Sequence, residues 1–388
     1  EGYFNQTMRG VKLLMENGIA VSAIATVTPY TIDRIPETVS FFHSLGIPFS
    51  LRGAVASLER GMNEYCISSA DNERIYQKMF GLELTLSSKV KCTELQAVVK
   101  CALREKSELC TFSNCLGQYV AIAPDGGLYS CQRFVGSQEF RIGIVGDSPK
   151  QIKNSPGYQR LAAKYEQTKE HCGDCTHFPY CNGGCLYSMM VAERYGAEHP
   201  FCNDVEQLKR FYRSLFDGIQ LQLAREMADV LLERKTATPY LALAGEEKSA
   251  ADTAIAKRRN QEAFVWGKTI APKHAFSYRG RREHLFLNIT GNCPLACSHC
   301  AVNAGGRSKD MSLEVSEKCV EKAIEYGYRI LSLNGGEPLI YTRLTDLLEY
   351  MQNTKHPCTD YWLFTSLYPY LSEELAQKIR NVFSVVCV

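Results

Sequence analysis

His284-Leu-Phe-Leu-Asn-Ile-Thr290, followed by Gly291-Asn-Cys293-Pro-Leu-Ala-Cys297-Ser-His-Cys300, is the stretch on which the reading of the fold turns. The first seven residues are predicted to form a strand, and Gly291 turns the chain directly into three cysteines. A cubane [4Fe–4S] cluster takes four ligands, so three thiolates leave one iron open to a small chelating molecule. One strand later, at the end of a predicted strand Arg329 to Leu333, stands Gly335-Gly336-Glu337-Pro338. Glycines there let the backbone come close to a ligand, and Glu337 offers a carboxylate to order the site. Three cysteines alone also allow part of a zinc site, and the second motif is what weighs against that.

Working outward, helix and strand alternate. Towards the C-terminus the pattern predicts helix Ser312 to Tyr326, strand Arg329 to Leu333, helix Leu344 to Met351, strand Tyr361 to Ser366, helix Glu373 to Arg380 and strand Val382 to Val388. At the other end it predicts helix Thr7 to Gly18, strand Ala20 to Val27, helix Ile35 to Leu45 closed by Gly46, and strand Pro48 to Ala54. Such alternation implies α/β architecture with a parallel sheet. The C-terminal segment supplies four strands and the N-terminal segment two, so neither end holds a whole barrel and together they would supply six.

Between them lies a weakly helical stretch, 59–109, and then a cysteine-rich, loop-rich stretch with a hairpin turn at Pro124-Asp125-Gly126-Gly127. Residues 204–235 carry apolar positions at helical spacing and are predicted as one long amphipathic helix. Residues 236–283 read as a linker. The basic groups Lys257-Arg258-Arg259 and Arg279 to Arg282 are taken as solvated linker charge rather than a nucleic-acid surface. With a net charge of +2 over 388 residues, nothing draws the chain as a whole to nucleic acid or an anionic membrane. There is no signal segment and no apolar run long enough to cross a bilayer, so a cytoplasmic, reducing compartment is the expectation. In that setting the 17 cysteines read as metal ligands rather than a disulfide framework. The chain begins at Glu1 without Met and stops on strand-forming residues, which predicts that both ends are cut.

Cys293-x3-Cys297-x2-Cys300 with Gly335-Gly336-Glu337-Pro338 resembles the radical S-adenosylmethionine (radical SAM) superfamily. The resemblance implies that Cys293, Cys297 and Cys300 hold a [4Fe–4S] cluster whose open iron binds S-adenosylmethionine, cleaved by one electron to the 5′-deoxyadenosyl radical. It also implies that Gly335, Gly336, Glu337 and Pro338 meet the cofactor's methionine part, and that His299 replaces the aromatic residue many members carry before the last cysteine. The second array is Cys115, Gly126, Cys131, then Cys172-x2-Cys175-x5-Cys181-x3-Cys185, then Cys202. It resembles the SPASM domain, an extension found in many peptide-modifying radical SAM enzymes that holds two auxiliary [4Fe–4S] clusters. Carried over by position, Cys172, Cys175, Cys181 and Cys202 would hold one, and Cys115, Cys131 and Cys185, with Cys110 as possible fourth ligand, the other. Zinc competes for this array too, because Cys-x2-Cys knuckles also bind zinc; association with the radical SAM motif tips it towards iron. Cys66, Cys92, Cys101, Cys319, Cys358 and Cys387 fit neither array and are expected to be buried structural thiols.

The implied fold is a partial (β/α)6 TIM-like radical SAM barrel, split into 1–58 and 284–388, with a SPASM domain at 110–203 between the halves. Two arrangements fit: a tandem protein cut at both ends, which is the simpler, or a permuted chain whose halves close into one barrel. Pairing of the last strand with Ala20 to Val27 would support the second.

The segment from Tyr129 to Gly143 resembles the corresponding stretch of maturases that crosslink ribosomally made peptides (RiPP maturases), notably through thioethers. Sulfatase-maturing relatives carry an Asp base directly after the equivalent of Cys131; here Gln132, which cannot take a proton, argues against that reaction. The reading is therefore a radical SAM enzyme acting on a peptide or protein, with an external low-potential reductant such as ferredoxin or flavodoxin. Its alternatives are anaerobic sulfatase-type side-chain oxidation and a non-catalytic zinc-binding or electron-relay protein. The catalytic acid or base is not readable from the sequence, and a linker of about 50 residues is too short for a full leader-peptide-binding domain.

Overall fold

The computed structural model describes residues 2–85, 92–93, 110–112, 115–172, 178, 183–196, 283–297, 300, 302, 304, 309–357, 359–368 and 371–388. The predicted long helix at 204–235 and the linker residues 236–282 lie outside them.

In chain order, helix α1 (Gly2–Glu16) leads into strand β1 (Ala20–Val27), helix α2 (Ile35–Leu45) and strand β2 (Phe49–Gly53). α2 ends on Gly46 in the left-handed conformation (φ 70°), the predicted cap. Helix α3 (Ser69–Thr85) follows, then a meander of β3 (Tyr119–Ile122), β4 (Gly127–Tyr129) and β5 (Arg141–Ile144). The β3–β4 turn falls where it was predicted: Gly126 takes φ 76°, and Asp125 Oδ1 accepts from the Gly127 amide at 2.9 Å. Helices α4 (Pro149–Asn154), α5 (Pro156–His171) and α6 (Leu186–Tyr195) complete this middle portion.

The C-terminal portion alternates β6 (His284–Thr290), α7 (Leu313–Glu325), β7 (Ile330–Gly335), α8 (Leu344–Asn353), β8 (Asp360–Phe364), α9 (Glu373–Val382) and β9 (Val385–Cys387). Ser312 and Ser372 cap α7 and α9 by accepting from the amides of Val315 and Leu375. The last strand is shorter than predicted. The sequence pattern places Val382 in that strand, but it is fully buried as the last member of the α9 stripe Ala376, Ile379, Val382, and that packing keeps it helical.

The described strands form one open sheet in the order β2-β1-β9-β8-β7-β6-β3-β4-β5. From β6 through β9 to β1 and β2 all six strands are parallel, in five neighbouring pairs. The two ends of the chain therefore lie in one sheet: Ala20, Val21 and Ser22 pair with Val385, Val386 and Cys387. That is the pairing expected of the permuted arrangement, and it supports that reading over a tandem protein cut at both ends. β3 adds in parallel to the other side of β6, so the cysteine-rich portion continues the same sheet.

Period-two alternation sorts the strand residues into two faces. Leu285, Leu287, Ile289, Leu331, Leu333, Tyr361, Leu363 and Val386 belong to the buried apolar core. The opposite face is mixed polar and aromatic, with His284, Asn288, Ser332, Asn334, Trp362 and Cys387, and in β1 it opens to solvent at Ile24, 43% exposed. His284 shows how this face is settled: its Nε2 lies 2.7 Å from Ser332 Oγ, and burial, aided by Arg329, pulls its pKa down to about 3, so the ring is neutral.

Candidate functional site

The carboxyl ends of β6, β7 and β8 meet around the three-cysteine loop. The Gly291 amide donates to Lys309 O at 2.9 Å and Met311 N to Ile289 O at 2.8 Å, so residues 309–311 run alongside the end of β6. From the other side, Gly336 N donates to Thr290 O at 2.9 Å and Glu337 N to Asn292 O at 2.8 Å. The two motifs found in the sequence are thus hydrogen-bonded to each other. A Cβ on Gly335 (φ 133°) would stand 2.2 Å from Thr290 O, and one on Gly336 would stand 1.9 Å from Asn292 O and 3.1 Å from Cys293 Cβ. Only glycine permits this approach.

Cys293, Cys297 and Cys300 are half-buried on this loop, and the Cys300 amide donates to Cys297 O at 3.2 Å. Burial raises the Cys293 and Cys297 thiols, and each is raised further by its neighbouring cysteines. Such a set loses its protons when a cation takes their place. Among the described residues no three Cys, His, Asp or Glu side chains converge on a single metal ion. Cys293 and Cys297 lie in electrostatic range of each other and of Cys300.

Glu337 is 1% exposed, and its carboxylate is saturated by protein donors. Oε1 accepts from Leu339 N (3.0 Å) and Thr365 Oγ1 (2.6 Å), and Oε2 from Ser366 N (2.8 Å) and Ser366 Oγ (2.5 Å). The side chain therefore clamps the end of β8 to the end of β7. The following Leu367 is fully buried with φ 56°, a costly conformation for a branched side chain. It is pinned from 357 residues away, because α1 lays Gly10 against it, where a Cβ would stand 3.0 Å from Leu367 Cδ1. Thr7 Oγ1 also donates to Ser366 O at 3.0 Å.

Asp310 was not singled out in the sequence, yet it ties three segments together. Its Oδ1 accepts from Thr290 Oγ1 (2.7 Å) and Asn292 Nδ2 (3.0 Å), and its Oδ2 from Thr342 N (3.2 Å) and Thr342 Oγ1 (2.7 Å). Partial burial pushes its pKa up, but these bonds outweigh it and hold the carboxyl below 3.8. A depressed carboxyl contributes stability above its unfolded pKa and loses it as pH falls through the folded value. Asp310→Asn is expected to lower the unfolding midpoint at neutral pH and to flatten the fall in stability below about pH 4, measured by thermal melts across a pH series.

The second array is described in part. Cys115 lies in electrostatic range of Cys131, Cys185 and Cys110, and Cys131 of Cys185 and Cys110, though among the described residues these side chains do not converge on a single metal ion. Burial pushes Cys131 up to about 12. Arg133 stands among Cys185, Cys131 and Cys110; burial works against its charge, the cysteine sulfurs outweigh that, and the guanidinium sits 5.8 Å from the centre of the Tyr187 ring. Gln132 shares its short 3-10 turn. Cys172 is buried at the C-terminal cap of α5, while its predicted partners Cys175, Cys181 and Cys202, and also His299, lie outside the described residues. Of the cysteines assigned to neither array, Cys92, Cys319 and Cys387 are buried and Cys66 is half-buried, while Cys101 and Cys358 fall outside the described residues.

A cavity of about 420 Å3 lies between the two portions, walled by Asp125, Tyr129 and Gly136 on one side and by Asn288, Thr290, Gly335 and Gly336 on the other. Asn288 Nδ2 donates to Ile122 O at 3.1 Å, which fixes the amide and leaves its buried Oδ1 without a donor.

Comparison with known proteins covers the first array and part of the second. Residues 287–386 match the family model of the radical SAM superfamily, and residues 110–176 match that of SPASM, an iron–sulfur cluster-binding domain. The chain therefore carries a radical SAM domain and a SPASM domain. Among curated proteins it is 34% identical over 107 residues to a probable GTP 3′,8-cyclase of Methanococcus maripaludis, covering 26% of this chain and 34% of that protein. A GTP 3′,8-cyclase of a Synechococcus species is 33% identical over 76 residues, 20% of this chain and 22% of that one. The chain thus spans about a third or less of the length of these relatives. Among solved structures, native anSMEcpe with bound AdoMet and Cp18Cys peptide is 18% identical, with a TM-score of 0.47 over 57% of this chain and 62% of that one.

Proposed function

We propose that this chain reductively cleaves S-adenosylmethionine and uses the resulting radical to modify a peptide or protein. What supports this most is the loop carrying Cys293, Cys297 and Cys300, hydrogen-bonded to Gly336 and Glu337, in a chain that also gathers Cys110, Cys115, Cys131 and Cys185. A [4Fe–4S] cluster held by the first three would supply the electron for cofactor cleavage. The chain's own residues fix the loop: Gly335 and Gly336 admit the close backbone approach, Glu337 and Asp310 lock its flanks, and Cys293 and Cys297 would hold the cluster as thiolates. The second array would hold an auxiliary cluster through Cys115, Cys131, Cys185 and Cys110, and Cys172 with Cys175, Cys181 and Cys202 would hold another. Ferredoxin or flavodoxin would be the electron donor.

The SPASM domain favours a peptide or protein substrate, and Gln132 beside Cys131 favours crosslinking over sulfatase-type oxidation. The names of the curated relatives raise a nucleotide substrate as a second reading, resting on a match to about a quarter of this chain. The test is anaerobic reconstitution with iron and sulfide, followed by dithionite and S-adenosylmethionine. Formation of 5′-deoxyadenosine and methionine is the expected result, and an iron-loaded chain that releases neither would refute the enzymatic reading.

A further inference from the structure

The turn at residues 57–61 touches both α6, the helix that begins after Cys185, and the loop that carries Cys297. Ser57 and Gly61 form an isolated bridge, closed by Gly61 N donating to Ser57 O at 2.8 Å and Arg60 N to Ser57 Oγ at 2.9 Å. Gly61 takes φ 70°, and a Cβ there would stand 3.2 Å from Cε1 of Tyr195.

Leu58, 3% exposed, is held through both of its backbone polar groups by one helix, α6. Its amide donates to Tyr187 Oη at 3.0 Å, while its carbonyl accepts from Tyr195 Oη at 2.6 Å and Arg194 Nη1 at 3.1 Å. Residues 187, 194 and 195 are spaced two helical turns apart, so the three side chains leave α6 on one face. The far side of the turn reaches the other site: Arg60 Nη1 donates to the carbonyl of Cys297 at 2.7 Å. At the start of α6 stands Cys185 as its N-terminal cap, and Tyr187 is the ring against which Arg133 rests.

We infer that α6 and the 57–61 turn act as a strap by which the helix beginning at Cys185 positions the Cys293–Cys300 loop, with Arg60 as the positioning residue that completes it. The physical argument is the direction of the constraint. Leu58 is buried and bonded on both sides, so the turn is a fixed point set by α6. Cys297 sits on an irregular loop whose described hydrogen bonds to the sheet lie at residues 289–292, leaving its cysteine-bearing part tied laterally through Arg60. Describing this loop as a cluster site rests on the reading above; the strap itself does not.

The experiment is hydrogen exchange by mass spectrometry on the full chain without iron, following the amides of residues 295–297. Arg60→Leu and the pair Tyr187→Phe with Tyr195→Phe are measured separately and combined. Each is expected to speed exchange about fivefold, the size of one partly exposed charged hydrogen bond. The combination is expected to be no faster than either alone, because both cut the same strap. Unchanged exchange in Arg60→Leu would overturn the inference, as would effects that multiply when combined. Arg60 is exposed, so its replacement leaves the fold intact even if the tyrosine pair does not. In iron-loaded protein, the electron paramagnetic resonance signal of the reduced cluster is expected to change in Arg60→Leu. If exchange responds while S-adenosylmethionine cleavage is absent from the parent, the strap stands and the enzymatic reading falls.

Discussion

Replacing Cys293, Cys297 and Cys300 together by Ala is expected to remove about one cubane's worth of iron, roughly four atoms per chain, and leave the rest in place. The expectation follows from where the two sets of sulfurs sit. The three loop cysteines follow β6, whereas Cys115, Cys131 and Cys185 belong to the β3–β5 meander and α6. No ligand is shared between the proposed sites, so emptying one leaves the other its full set. Iron and sulfide analysis after anaerobic reconstitution measures this directly, and S-adenosylmethionine cleavage should fall to background in the same sample. Retention of all the iron, or zinc in its place, would leave a metal-stapled protein with no radical chemistry.

Glu337→Gln is expected to be nearly as damaging, though it removes no ligand. The carboxylate accepts from four donors, two at each oxygen, and Gln keeps only one acceptor oxygen. Its NH2 would face two buried donors whichever way the amide is turned. Losing those bonds and leaving their donors unmet costs about 2–4 kcal/mol. Because Glu337 joins the end of β8 to the segment hydrogen-bonded to Asn292, the loss falls on the cysteine loop as well as on global stability. A drop in unfolding midpoint together with weakened S-adenosylmethionine binding, measured calorimetrically, is the expected pair of results. A drop in midpoint with unchanged binding would make Glu337 a fold residue only.

Much of this was readable beforehand, for identifiable reasons. Helices with caps and sharp stripes, such as Ser312 before α7 or Gly46 after α2, announce themselves locally, and the six parallel strands follow from alternation. The cysteine spacings and Gly335-Gly336 were legible because their chemistry depends on residues close in sequence. Asp310, Gly10 and Arg60 were not. Each acts on a partner fixed only by folding: Asp310 on Thr290 and Thr342, Gly10 on Leu367, and Arg60 on Cys297. A lone Asp, Gly or Arg in an ordinary stretch carries no periodicity that would mark it. Whether the chain's ends shared one sheet could be settled only by pairing, since the strand pattern of a permuted barrel equals that of two cut ones.

That pairing has a price during synthesis. Ser22 and its hydrogen-bonded neighbour Cys387 are 365 residues apart in the chain, and β1 can complete its hydrogen bonds on that side only when β9 has left the ribosome. At translation rates of about 5–20 residues per second, β1 and β2 wait roughly 20–70 seconds with a strand edge bare. A long-range parallel pairing of this kind is also among the slowest contacts to form once both partners exist. Yield in a cell should therefore depend strongly on temperature and on chaperones that shield nascent β1, and slowing translation should worsen it rather than help.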